Sequence, residues 1–215
     1  MSYICEMTQS EIVAVDTKKP QMAVIEKVVQ VLESGGLVVA PTETKYGLLV
    51  KIDLLDAVRR LFELKRRDDN KPSAIFVSGL PRLKELAQVP QKAQILGQKF
   101  LPGPLTLVLE SKKDFGKFFT LNQMTGFRIS SSTLIKSLVD RVGSLSATSA
   151  SLSGQKEADT IEQIRELFGD KIELYIDGGK LNNPASTVVQ VIGDEVRILR
   201  EGAISTKLIL DAVNS

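Results

Sequence analysis

Short apolar runs of strand length alternate along this chain with amphipathic helical stretches, and that alternation narrows the fold more than any other feature. In MAVIEKVVQVLESGG, Val24, Val28, Val31 and Leu32 fall on one helical face, and Gly35 and Gly36 supply the stop. LVVA follows as a buried strand, Pro41 opens the turn PTET, and YGLLVKI is a second extended run. Asp53 is placed to cap a helix whose apolar stripe is Leu54, Leu55, Val58, Leu61 and Phe62. That helix ends in KRRDDNKP, where Pro72 forbids continuation, and AIFVS is another strand. Helical patterns return around Arg82 to Ala87, Lys92 to Phe100 and Leu134 to Val142, with LTLVLE and GFRIS as strands between them. Thr160 and Gln163 suit a capping box for IEQIRELF, and IELYIDGG, STVVQVI and EVRILREG complete the strands. The pattern predicts an α/β fold, a twisted mixed sheet with helices packed on it. The chain has no internal repeat and no linker long enough to divide it, so one domain over 1–215 is expected.

The chain has no histidine, and that single absence removes the most chemistry. Ser-His-Asp and Cys-His nucleophiles, imidazole acid–base catalysis and histidine-ligated zinc are all excluded. What is left is charge, positioning, hydroxyls, carboxylates and a metal held by oxygen. The 28 basic and 26 acidic side chains leave a net charge of +2, so a bound anion must be held by a local cluster. One cysteine, Cys5, offers no disulfide, and no apolar run is long enough to span a bilayer or act as a secretory leader. A reducing, cytoplasmic setting without a membrane is the expectation.

Phosphate binding has neither a Walker A nor a GxGxxG device to use. Lys65, Arg66, Arg67 and Lys71, around Asp68, Asp69 and Asn70, could neutralise a triphosphate; the same run also suits a solvated helix end. PTETKYG offers hydroxyls and loop amides at a sheet edge, or a plain strand-joining turn. LPGPLT fits a rigid approach to a strand, or simply a helix stop. SATSASLSG packs hydroxyls and small residues that either let a ligand approach the backbone or form a serine-rich turn. Arg128 in GFRIS and Arg200 in LREG each follow apolar strand residues; if buried they need an anion, either a ligand's or an internal carboxylate.

Taken in order, PTETKYGL, KRRDDNKP, LPGPLTLVL, GFRIS, SATSASLSG, DGG, PASTVV and LREGAI resemble the YrdC family of threonylcarbamoyl-adenylate synthases, with a core over about 20–205. The resemblance implies a YrdC-like twisted mixed sheet flanked by helices, with a large basic cavity on one side. It implies that Lys65 and Arg67 face the phosphates of ATP as the catalytic cations, and that Asn70, Thr106, Ser149, Ser151 and Arg200 contact the nucleotide. By the same likeness, Thr42, Thr44, Arg128, Thr148 and Ser186 would hold threonine. The implied reaction joins L-threonine, bicarbonate and ATP into threonylcarbamoyl-AMP and pyrophosphate. A magnesium ion (Mg2+) would ride on the triphosphate, with no dedicated metal ligands. A tRNA-modifying threonylcarbamoyl transferase would take the product, and weak tRNA or RNA contact belongs to the same picture. The chain departs from the family's usual residues at Lys45, Leu49, Ser73, Ser130 and Ser151. Two alternatives follow: a non-catalytic RNA- or ribosome-binding protein, and a diverged paralogue that adenylates another carbamate. The length matches the short, stand-alone type.

Overall fold

The computed structural model describes residues 10–66, 71–155 and 157–214. The first half runs β1 (Glu11–Ala14), α1 (Met22–Glu33), β2 (Val38–Pro41), β3 (Tyr46–Leu49), α2 (Leu55–Leu64), β4 (Ala74–Phe76), α3 (Leu80–Leu86), α4 (Gln91–Phe100), β5 (Leu105–Glu110), β6 (Thr120–Leu121) and β7 (Met124–Arg128). The second runs α5 (Thr133–Val142), β8 (Leu145–Ser149), α6 (Ile161–Phe168), β9 (Leu174–Asp177), β10 (Thr187–Ile192), β11 (Glu195–Arg200) and α7 (Thr206–Asn214). The strands follow the path β1-β9-β2-β3-β8-β4-β7-β5-β10-β11, with β6 pairing β7 off the path. β1/β9, β9/β2, β4/β7 and β5/β10 are parallel and the other pairs antiparallel, so the sheet is mixed, as the alternation of elements implies.

Two apolar clusters hold helices to the sheet. Val38, Ala40, Leu49, Phe76, Leu145 and Leu174 bury against Val24, Val28 and Leu32 of α1 and Leu134, Leu138 and Val142 of α5. Leu48, Ile75, Leu105, Leu107, Phe127 and Val189 pack with α2, α3, α4, α6 and α7. Each fully buried leucine or valine adds about 1.5–3 kcal/mol of hydrophobic stabilisation. The neighbouring pair Leu48 and Leu49 divides between the two clusters, as the two-residue period of a strand requires.

Packing adjusts several expectations. In α2 the buried stripe is Ala57, Val58, Leu61 and Phe62, while Leu55 is 53% exposed. Asp53 does not cap this helix: Leu54 holds the cap position without a side-chain bond. Apolar spacing alone cannot choose between Leu55 and Ala57 for the edge of the stripe; contact with the sheet does. In α1, Ile25 is buried where Val31 is only half-buried. Thr160 caps α6 by accepting from Gln163 N, but the Gln163 carboxamide returns to Asp159 N and leaves the capping box offset by one residue. SLSATSASLSG, too small-sided to look like core, supplies β8 between β3 and β4. β1 and α7, absent from the pattern analysis, are short elements at the margins that pairing and docking stabilise.

Tyr175 in β9 is fully buried and donates to Gly169 O at 2.7 Å. Burial, reinforced by Asp170 and Glu173 and opposed by Arg165, pushes its pKa up to about 12. A raised tyrosine contributes stability that is intact below the unfolded value near 10 and is lost between there and about 12. Urea melts across this window should therefore show stability falling, with on the order of 1 kcal/mol per pH unit coming from this group. Tyr175→Phe should flatten that slope while costing about 1 kcal/mol at neutral pH through the lost hydrogen bond.

Candidate functional site

Phe76, Arg128, Thr106, Val188 and Arg200 are successive register partners across β4, β7, β5, β10 and β11, and so form one row across the sheet. Beside this row the side chains are small: Ala74 pairs with Ala147, Gly126 pairs with Val108, and Gly47 pairs with Ser149. A methyl group on Gly126 would lie 3.1 Å from the Ala74 Cβ and 3.4 Å from Thr106 Cγ2. Missing side-chain volume, where a helix would otherwise pack, opens a cavity of about 450 Å³ lined by these residues together with Thr42, Thr44, Lys45, Tyr46, Thr148, Glu157 and Ser186.

A second cavity of about 470 Å³ is lined by Lys65, Lys71, Ser151, Leu152, Ser153, Gly154 and Gln155, and shares Ser149, Glu157, Ala185 and Arg200 with the first. The two are adjoining compartments of one site. One is walled by hydroxyls and a guanidinium, suited to a small polar molecule with a carboxylate. The other combines lysines with a glycine- and serine-rich loop, suited to an oligoanion.

The polar groups are held in detail. In the PTETKYG turn the Thr42 hydroxyl donates to Lys45 O at 2.6 Å and accepts from Thr44 N at 3.1 Å, while Arg128 Nη2 donates to Thr44 Oγ1 at 2.7 Å. Arg128 also meets Glu43 at 2.8 Å and lies over the Phe76 ring at 5.4 Å. The internal carboxylate left open as a partner for a buried Arg128 is thus present, as Glu43. Lys45 is ion-paired with Asp159 at 2.9 Å, tying this turn to the segment before α6. Tyr46 donates to Gly179 O at 2.6 Å and accepts from Gly178 N at 3.0 Å; burial raises its pKa and keeps the hydroxyl neutral as a strut. Thr106 and Ser186 share a hydrogen bond of 3.0 Å, and Arg200 donates to Ser186 O at 2.8 Å. Gly202 is required beside them, because a Cβ there would sit 2.2 Å from Ala185 O.

Of the residues singled out from sequence, Thr42, Thr44, Thr106, Arg128, Thr148 and Ser186 line the first cavity, Lys65 and Ser151 the second, and Ser149 and Arg200 both. Arg67 and Asn70 lie outside the described residues. Lys65 is only 1% exposed: its ammonium donates to Ser149 O and, at 2.7 Å, to Ser151 O. It therefore shapes the serine-rich loop as well as lining the cavity. The Ser149 and Ser151 hydroxyls are 3.0 Å apart. Sequence reasoning did not single out Glu43, Gly47, Ala74, Gly126, Ala147 or Glu157. Ala74 and Gly126 were detectable only as weak points in strands, whereas Glu43 and Gly47 stood inside the PTETKYG turn and Ala147 inside SATSASLSG, segments already noted without these residues being picked out.

The Sua5/YciO/YrdC family model, described as "Telomere recombination", matches residues 30–202. The chain belongs to this family. It is 31% identical over 182 residues to a putative threonylcarbamoyl-AMP synthase of Methanocaldococcus jannaschii, covering 84% of this chain and 86% of that protein. It is 32% identical over 202 residues to the threonylcarbamoyl-AMP synthase of Bacillus subtilis, covering 92% of this chain but 57% of the relative's length. Among solved structures, P. abyssi Sua5 complexed with L-threonine superposes with a TM-score of 0.86 at 28% identity, covering 94% of this chain and 61% of that one. Escherichia coli YciO, at 24% identity and a TM-score of 0.85 over 93% of this chain and 99% of that one, shares the fold. The twisted mixed sheet flanked by helices is thus the architecture of Sua5 and YciO.

The buried ammonium sets a test of this family member's loop. Lys65→Met would leave the Ser149 and Ser151 carbonyls without their donor, at a cost of about 2–4 kcal/mol. Thermal unfolding should show Tm lower by roughly 5–10 °C.

Proposed function

We propose that this chain is a nucleotidyltransferase that makes threonylcarbamoyl-AMP from L-threonine, bicarbonate and ATP, releasing pyrophosphate. The observation that carries the reading is the pair of adjoining cavities joined at Ser149, Glu157, Ala185 and Arg200. In the first, Arg128 would hold the threonine carboxylate, with Thr42, Thr44, Thr148 and Ser186 around the rest of the amino acid. In the second, Lys65, with Lys71 beside it, would face the triphosphate, and Ser149, Ser151, Thr106 and Arg200 would span the junction. Arg67 and Asn70 keep the nucleotide roles that the family resemblance implies. Relatives named threonylcarbamoyl-AMP synthase support the reading, as does the threonine complex of the P. abyssi protein.

The chemistry asks little of the protein beyond position and charge. Threonine's neutral amine condenses with bicarbonate, the N–H proton and the bicarbonate hydroxyl leaving as water, to give a carbamate; a carbamate oxygen attacks the α-phosphorus, and pyrophosphate leaves. Two substrates held at a shared wall react with most of the encounter entropy already lost, and cations beside the phosphates stabilise the developing charge. Among the described residues no group of three or more His, Cys, Asp or Glu forms a metal cage, and Glu157 is the carboxylate that faces both cavities. This donor set suits a magnesium ion carried on the phosphates and mostly hydrated, which would supply further charge neutralisation. The product would pass to a tRNA-modifying threonylcarbamoyl transferase in the cytoplasm.

Purified protein given ATP should release pyrophosphate only when threonine and bicarbonate are both present; release with neither, or with another amino acid instead, would overturn the threonine assignment. Direct RNA binding without turnover would show as affinity that falls steeply with salt. Ala147→Leu tests the cavity itself. The added carbons enter open space rather than packed core, so Tm should shift by less than about 4 °C. Threonine-dependent release should nonetheless fall at least about tenfold, the consequence of filling the substrate's volume.

A further inference from the structure

Glu43 is not among the residues that wall the first cavity, yet the polar groups there converge on it. Its Oε1 accepts from Arg128 Nη2 at 2.8 Å and from Nε at 3.3 Å, its Oε2 accepts from the Ser130 hydroxyl, and its backbone carbonyl accepts from Asn183 Nδ2 at 3.2 Å. The side chains of Arg128 and Glu43 are 9% and 13% exposed, so water screens the pair weakly. Phe76 supports the guanidinium from one side, and Thr44 accepts a further proton of Nη2. Among the described residues Arg128 Nη1 makes no hydrogen bond, and the residue lines the cavity. The guanidinium is therefore gripped along its Nε and Nη2 edge.

A cation this shielded attracts any anion that reaches it, and the attraction rises with the anion's charge. A carboxylate 2.8 Å away cancels the long-range part of that field and occupies the Nε and Nη2 edge, but leaves the directional N–H donors of Nη1 in place. An amino-acid zwitterion has no net charge and loses little by the cancellation, whereas a phosphate loses most of its drive to enter. The adjoining cavity is suited to an oligoanion, so an unneutralised Arg128 would compete for the same phosphates.

We propose that Glu43 is a positioning and specificity-determining residue. Acting through Arg128, with Ser130 as its second anchor, it reserves that seat for the carboxylate of a neutral amino acid and turns phosphate away. This rests on the assignment of Arg128 to the substrate carboxylate. A purely structural counter-ion would leave the choice between ligand charges unchanged, and that difference is measurable.

The full chain, Glu43→Gln and Ser130→Ala would be titrated calorimetrically with L-threonine and with inorganic phosphate, each alone and in competition. Glu43→Gln should weaken threonine about tenfold and let phosphate displace it at about tenfold lower concentration than in the parent. Ser130→Ala should move both values the same way by about two- to threefold. Unchanged titrations in a folded Glu43→Gln overturn the proposal, and so does a loss of threonine binding with no gain for phosphate. If the parent chain binds no threonine, it is the Arg128 assignment that fails. The phosphate arm then still decides Glu43: a gain in Glu43→Gln that vanishes when Arg128→Gln is added supports the role, and no gain ends it. Should Glu43→Gln not fold, Ser130→Ala, which leaves the ion pair in place, carries the same two readouts.

Discussion

A wide sheet must cover its faces, and in this protein one stretch of one face stays open. α1 and α5 bury the part built from β2, β9 and the Leu145 end of β8. Where the rest of β8 and β4, β7, β5 and β10 continue, Ala147, Ala74 and Gly126 are too small to support a packed helix, and the space above them remains as a cavity. Everything functional depends on that local shortage of side-chain volume. Close packing elsewhere keeps the strands rigid, so the opening persists instead of collapsing.

An open polar cavity in a protein without histidine needs its charges fixed from behind. The means here are ion pairs and backbone carbonyls placed outside or at the rim of the space: Glu43 on Arg128, Asp159 on Lys45, and the carbonyls of Ser149 and Ser151 on Lys65. Each pairing satisfies a cation, buried for Arg128 and Lys65 and half-buried for Lys45, that would otherwise be costly, and each orients the donors that remain. The same bonds tie the PTETKYG turn, the serine-rich loop and the segment before α6 into one frame, which is why distant parts of the chain meet at two adjoining compartments.

Much of this was legible beforehand. The alternation of apolar runs predicted the mixed α/β sheet, and PTETKYG, LPGPLT, SATSASLSG and LREG each contribute to a cavity wall. The margins were not legible: β1 is held by pairing with β9, and α7 by docking, neither of which leaves a strong local period. Leu55 is exposed because helical spacing tolerates more than one apolar edge and only contact with the sheet selects it, and Asp53 does not cap α2 because the helix begins one residue later, with Leu54 at the cap position.

Residue type and order by themselves determined the chemical vocabulary of this protein: no imidazole, a few cations in marked segments, many hydroxyls, and a chain patterned for a sheet with helices on it. Tertiary structure alone decided how those groups are used. Whether Arg128 meets a ligand or an internal carboxylate, and whether Lys65 points to solvent or to the carbonyls of a loop 84 residues away, depends on long-range register. Local periodicity carries no information about which strand lies opposite which, and that pairing places Arg128, Thr106 and Arg200 in one row above a floor of small side chains.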